Sequence, residues 1–255
     1  MKSKAILVLT TPRTGSNHLT RLMNNFTNVD VNWEIFGYDS YNIKPCYRKI
    51  CENKFGKEYE MNIRKNNLQL DLIRLIIDAC DKEYLIFKIF MGDYSDEENH
   101  ITRQQIIDLI NNKIVEHVII INRKNKIDQY ISLQKALKLQ KWDSFDTSNT
   151  KINFDTDAYT HYKKRHVEIY DFYHKINENN NILDLTYEND ICSTEHLLTK
   201  INNFIVKLLR KKGYFEKGFE KQDTITDYEY KILNYNDENN KVKDFIKDEV
   251  YSLQT

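Results

Sequence analysis

The sequence predicts an α/β protein, a single domain with a central parallel sheet flanked by helices. Two observations carry that expectation. The short apolar runs Ala5-Ile6-Leu7-Val8-Leu9, Tyr84–Phe87 and Val118–Ile121 have the length and unbroken hydrophobicity of strands buried on both faces. Between them apolar residues recur at helical spacing, and strands alternating with helices build a parallel sheet through crossover connections. At 255 residues the chain is long enough to bury one large core.

The elements follow in order. Ala5–Leu9 leads into Thr11–Asn17 and then into a helix on Leu19, Leu22, Met23 and Phe26. Leu68, Leu72, Leu75, Ile76 and Ala79 mark a helix before the strand Tyr84–Phe87. Ile106, Ile107, Leu109 and Ile110 mark another before Val118–Ile121. After Arg123, the positions Ile127, Tyr130, Ile131 and Leu137 predict a helix capped by Asn125. The polar stretch 142–156 reads as a loop. Tyr159, Tyr162, Ile169, Tyr170, Tyr173 and Ile176 describe a long helix, and Ile182–Leu185 a short strand. Leu197, Leu198, Ile201, Phe204, Ile205 and Leu208 then form an amphipathic helix. The tail beyond Gly213 is charged, with helices expected near 226–235 and 239–251. No composition break or repeat divides the chain, so one domain is expected over 1–255, its core spanning about 4–209.

Composition narrows the function. Lys+Arg and Asp+Glu are both 38, a formal charge of zero, which argues against a nucleic-acid binder needing surplus cations. Only 6 Gly and 2 Pro leave little room for flexible linkers or low-complexity tracts. Ala5–Leu9 is too short for a signal-peptide core or a membrane span, and no other segment reaches spanning length. Cys46, Cys51, Cys80 and Cys192 make no CxxC pair, which suggests free buried thiols and a reducing, cytoplasmic compartment. His161 and His166 are spaced for neither helix-face metal ligation nor a finger and are expected on a helix surface.

In open parallel sheets, ligands sit where strands lead into helix N-termini. Thr11–Asn17 occupies that place. Gly15 permits close backbone approach, Thr14 and Ser16 offer hydroxyls, and successive amides point toward the positive end of a helix. Arg13 adds a fork that matches phosphate or sulfate oxygens. The plainer alternative is an ordinary strand-to-helix turn with a Ser/Thr cap. The loop is not a nucleotide-triphosphate P-loop, because no Lys-Ser/Thr follows a second Gly. Two later strands run into Lys88 and Arg123, not into a magnesium-binding carboxylate. No metal is expected.

Three segments carry a family resemblance. PRTGSNHL, at 12–19, resembles the 5′-phosphosulfate loop of sulfotransferases that use 3′-phosphoadenosine 5′-phosphosulfate (PAPS). RKNKIDQYISLQKALKLQKW, from Arg123 to Trp142, resembles their 3′-phosphate segment, and LTYEND, at Leu185–Asp190, their Tyr-Glu-Asp stretch after a late strand. The Arg…Gln-x-x-Ser…Ala…Trp pattern is most similar to the bacterial trehalose-sulfotransferase branch. The resemblance runs from residue 4 to about 209 and implies a P-loop-like sulfotransferase fold.

It also implies roles. Arg13 stands for the basic residue at the sulfonate and 5′-phosphate, with Thr14, Gly15, Ser16 and Asn17 as the cradle. Lys88 matches a basic residue near the sulfonate, Arg123 and Ser132 the 3′-phosphate pair, and Tyr187 the adenine contact. Lys124 is an alternative to Arg123, because the animal cytosolic branch has one residue fewer between its Arg and Ser. Arg210-Lys211-Lys212-Gly213 looks like that branch's Arg-Lys-Gly but follows Tyr187 too closely, and reads as a solvated helix end.

The base departs from the animal pattern, since Phe90 stands where those enzymes have His. In the trehalose branch a Glu shortly after the second strand is the proposed base, and Glu34 matches it. Its neighbours Trp33 and Ile35 are apolar, which would desolvate it and raise its basicity. A surface carboxylate paired to Lys44 or Arg48 is the alternative for Glu34. His18 is the second candidate base, disfavoured because a helix N-terminus opposes the imidazolium that would form.

The expected reaction is sulfonate transfer from PAPS to a hydroxyl of a small-molecule or carbohydrate acceptor, with release of PAP. The rival readings are a nucleotide kinase or NTPase and a catalytically inactive PAP-binding protein of the same fold. Segments 36–64 and 142–156 are expected to shape the acceptor pocket, and their Tyr and Asn side chains suit a sugar, a phenol or a peptide.

Overall fold

A computed structural model describes residues 3–36, 41–90, 101–142, 150–176 and 182–210. The helices expected in the tail, Lys211-Lys212-Gly213 and residues 143–149 of the loop 142–156 lie outside the described residues.

In chain order the elements are β1 (Lys4–Thr10), α1 (Ser16–Met23), β2 (Val29–Glu34), α2 (Pro45–Phe55), α3 (Tyr59–Lys65), α4 (Gln69–Ala79), β3 (Tyr84–Phe90), α5 (Arg103–Asn111), β4 (His117–Asn122), α6 (Lys126–Leu139), α7 (Thr156–Lys175), β5 (Ile182–Thr186) and α8 (Thr194–Arg210). A π-helical turn, Tyr187–Ile191, follows β5. The strands form one all-parallel sheet in the order β2-β3-β1-β4-β5, with helices on its flanks. This is the predicted α/β class.

β1 is the central strand. It pairs with β3 from Lys4↔Tyr84 to Thr10↔Phe90 and with β4 from Ile6↔His117 to Thr10↔Ile121. Its residues from Ala5 to Thr10 are all buried, which is why the run carries no alternation. Ala5, Leu7, Leu9, Leu85, Phe87 and Ile89 share a core with Leu72, Ile73, Ile76 and Ile77 of α4 and with Ile106, Leu109 and Ile110 of α5. Each Leu, Ile or Phe side chain there contributes roughly 1.5–3 kcal/mol on burial.

Contacts divide the chain into two compact units that alternate along the sequence. One comprises Met1–Thr11, His18–Ile121 and Ile169–Asp184; the other Pro12–Asn17, Asn122–Glu168 and Leu185–Thr255. In the second, Ile127, Tyr130 and Ile131 of α6 pack on Tyr159, and the Tyr130 ring meets Phe154 and Tyr159 edge-on at 5.5 Å. Asn125 caps α6 as expected, its side-chain oxygen accepting from the Asp128 amide at 3.1 Å.

Some expectations need correction. His166 is fully buried, not on a helix surface, because it continues the i, i+3, i+7 stripe of Tyr159 and Tyr162, stacking on the latter at 3.8 Å. Cys51 and Cys80 are buried, but Cys46 and Cys192 are exposed. The segment 36–64, expected to shape the acceptor pocket and given no elements, contains α2 and all but the last residue of α3. Among the described residues no helix is long and apolar enough to cross a membrane.

Candidate functional site

The end of β1 is fixed by two tyrosines of α7. Tyr173 Oη donates to Thr10 O at 3.1 Å, and Tyr170 Oη donates to Ile121 O at 2.6 Å while lying 3.1 Å from Thr11 Oγ1. Thr10 Oγ1 also donates to Ile121 O, at 3.0 Å. The chain therefore leaves β1 and β4 at set positions.

Pro12–Asn17 turns through alternating backbone conformations. The proline ring holds Pro12 at negative φ, Arg13 has φ 65°, Thr14 is negative, and Gly15 has φ 79°. Such alternation points successive N–H groups into one concavity, the nest that binds anions. A left-handed arginine costs on the order of 1–3 kcal/mol, so its surroundings must impose it. They do so through side chains more than a hundred residues away. Buried Gln129 donates to Pro12 O at 2.7 Å, and Arg123 Nη1 donates to Arg13 O at 3.3 Å. Gly15 is required twice over. A Cβ there would meet Ile191 Cγ2 at 2.4 Å and the Tyr187 ring at 3.0 Å, besides the positive φ.

The four residues that the resemblance assigns to a nucleotide's two phosphates and base stand in one group within this unit. Arg13 Nε donates to Ser132 Oγ at 2.8 Å and its Nη1 donates to Trp142 O at 2.9 Å. Arg123 lies over the Tyr187 ring at 4.3 Å, with its Nη2 3.8 Å from Asp128 Oδ2. Burial raises the Asp128 pKa and Arg123 opposes the shift. Thr14, Ser16 and Ser132 are buried, while Asn17 is half-buried. Two guanidinium forks, a hydroxyl and a backbone nest can hold oxyanions. Lys124, the alternative to Arg123, has an exposed side chain. Arg210 closes α8, and the rest of its basic run lies outside the described residues.

Glu34, Lys88 and His18 belong to the other unit. Glu34 is the last residue of β2, not a residue beyond it, and is the register partner of Lys88 on β3. A bulge makes it so. Asn32 pairs with Phe87 and Glu34 with Lys88, leaving Trp33 as the extra residue. Burial pushes the Glu34 carboxyl up to about 7, with the Lys88 cation pulling the other way. Lys88 is buried, its ammonium over the rings of Trp33 at 5.6 Å and Phe90 at 5.2 Å. The counter-ions considered for Glu34 are engaged elsewhere: Lys44 pairs with Asp30, and Arg48 Nε donates to Ile43 O at 3.1 Å. Burial, with Arg21 nearby, lowers the His18 pKa and so favours its neutral form.

Sequence reasoning missed three supports. Gln129 was visible only as the Gln of Gln-x-x-Ser. Glu188 accepts from the amides of Lys124 at 3.0 Å and Asn125 at 2.9 Å, tying the π-helical turn to the start of α6. Asp190 holds that turn at its base, accepting from the Thr186 amide at 2.7 Å and pairing with Lys200 at 2.8 Å. No protein-family model matches the chain, and no curated protein matches it either.

Proposed function

We propose that the chain is a sulfotransferase that moves the sulfonate of PAPS to a hydroxyl of a small-molecule or carbohydrate acceptor and releases PAP. The observation that supports this reading best is the Arg13–Ser132 hydrogen bond, between residues 119 apart, in a group that includes Arg123 and Tyr187. Two cationic forks beside one hydroxyl and one nest suit a 3′,5′-bisphosphate better than a single phosphate.

In this reading Glu34 takes the acceptor's proton as the acceptor oxygen attacks sulfur. The bond from sulfur to the bridging phosphate oxygen breaks in line, and its electron pair leaves on PAP. Arg13 and Lys88 offset charge on the sulfonate and the bridging oxygen, so catalysis is positioning and electrostatics. A carboxylate held near pKa 7 is suited to general-base work at neutral pH.

The test is nucleotide choice. PAP should raise the melting temperature well above equal concentrations of ADP or AMP, since stabilisation follows RT ln(1 + [L]/Kd), about 2.7 kcal/mol at 100 times Kd. Arg123→Ala should erase that preference and keep residual 5′-nucleotide binding. Equal stabilisation by ATP, ADP and PAP would overturn the assignment, and strict dependence of turnover on an added divalent ion would favour phosphoryl transfer.

A further inference from the structure

Outside the residues used so far, one cluster has more hydrogen-bond donors than acceptors. Tyr41 pairs with Phe36 in an antiparallel bridge just beyond Glu34, and its ring meets that of Phe36 edge-on at 5.1 Å. Arg64, on α3, lies over the Tyr41 ring at 5.1 Å. Tyr41 is 2% exposed, and its hydroxyl, beside the Arg64 guanidinium, makes no hydrogen bond to any other group among the described residues. Nor do the buried Nε and Nη2 of Arg64. The nearby carboxylate, Glu60, accepts from the Tyr41 amide at 3.0 Å and makes no ion pair with Arg64 among the described residues.

Such a group is unusual. Buried polar atoms are almost always paired, and a buried cation without an acceptor is costly. A fork of guanidinium donors beside a phenol presents the pattern that an oxyanion satisfies, with two parallel N–H bonds and a third from the hydroxyl. Arg64 as a whole remains partly exposed.

We infer that Arg64 and Tyr41 form an oxyanion-binding subsite that receives a carboxylate, sulfate or phosphate group of the acceptor. The word acceptor rests on the function proposed above; the oxyanion site itself does not. Because Tyr41 is joined by the Phe36 bridge to the segment that follows Glu34, the subsite selects acceptors that carry a negative group near the reacting hydroxyl.

The test uses the full chain, sodium sulfate as probe and sodium chloride at matched ionic strength as control, with saturating PAP to fill the nucleotide cradle. Sulfate should raise the melting temperature of the parent beyond chloride, Arg64→Met should abolish that rise, and Tyr41→Phe should weaken sulfate binding several-fold. Without sulfate, Arg64→Met should be neutral or stabilising, because it removes two buried donors that lack acceptors and keeps a chain of similar length. Equal destabilisation of Arg64→Met with and without sulfate would show a packing role alone and overturn the proposal. So would a sulfate response that survives the substitution. If PAP itself fails to bind, the sulfotransferase reading falls; the sulfate comparison, repeated in an Arg13→Ala/Arg123→Ala background, still decides the Arg64 site. Given turnover, a glucuronide should be preferred to the matching glucoside at least 10-fold in kcat/KM, and Arg64→Met should remove the preference.

Discussion

Glu34 and Lys88 face each other across β2 and β3 only because Trp33 is an extra residue in the ladder. Without that bulge the register would set Trp33 opposite Lys88, and the carboxylate would pass to the other face of the strand. The pairing holds a half-buried acid beside a buried ammonium. Burial raises the acid more than the ammonium lowers it, and the result is a group poised near pH 7.

Glu34→Gln should cut turnover by about 10²–10⁴ while leaving PAP affinity nearly unchanged, since a base acts on the acceptor and not on the nucleotide. Steady-state rates with a verified acceptor, beside calorimetric PAP binding, check both halves. Near-native turnover would remove Glu34 as the base and bring His18 forward.

The pH dependence has a defined sign. A base must be ionised, so kcat/KM should rise through about pH 7 and level off above it. Lys88→Met removes the cation that favours the carboxylate, so the midpoint should move upward as the maximal rate falls. Stability runs the other way. The folded pKa lies above the carboxyl's ordinary value of 4.5, so the native state holds the extra proton between about 4.5 and 7 and loses stability as pH rises through that window. Glu34→Gln should flatten that slope in melting temperatures taken from pH 4 to 8.

Arg13→Ala should lower both kcat and PAP affinity, the rate by on the order of 10²-fold or more, as for loss of one charged donor at a developing anion. Arg13→Lys should restore charge without the fork and recover only part of the loss. Full recovery by lysine would mean that Arg13 acts as a point charge.

Gly15→Ala should destabilise the fold by about 1–3 kcal/mol from the positive φ alone, and by more through the clash with Ile191. Ile191→Ala removes the clashing Cγ2 but not the backbone strain. In a denaturation-based double-mutant cycle the pair should therefore cost less than the sum of the single changes. Additive costs would show that the loop shifts away from Ile191 freely.

What was legible in the sequence is what local patterns encode. β1, β3 and β4 read as strands because both faces are buried, and α6 was bounded by a cap whose chemistry is local. The loop at Arg13 and the segment at Arg123 could be picked out by residue type, although their meeting is a long-range fact. The bulge at Trp33 could not be read, because register depends on β3, some fifty residues away. α2 and α3 escaped notice because Lys, Glu and Asn interrupt their apolar stripes and only Tyr47, Cys51, Tyr59 and Ile63 are buried. The burial of His166 and the bonds of Glu188 depend on partners that no local window contains.

The alternation of the two units limits how this chain can be dissected. It crosses between them at Thr11/Pro12, Asn17/His18, Ile121/Asn122, Glu168/Ile169 and Asp184/Leu185. No single cut therefore releases either unit whole, and a truncation made to isolate the arginine cradle would also remove pieces of the sheet. Limited proteolysis should yield nicked chains that stay associated, not autonomous halves. An N-terminal fragment ending before Asn122 would keep Arg13 but lack Arg123, Gln129 and Ser132, side chains that hold that arginine in its left-handed turn. On a ribosome, the loop whose residues emerge among the first twenty cannot take its binding shape until more than a hundred further residues have followed.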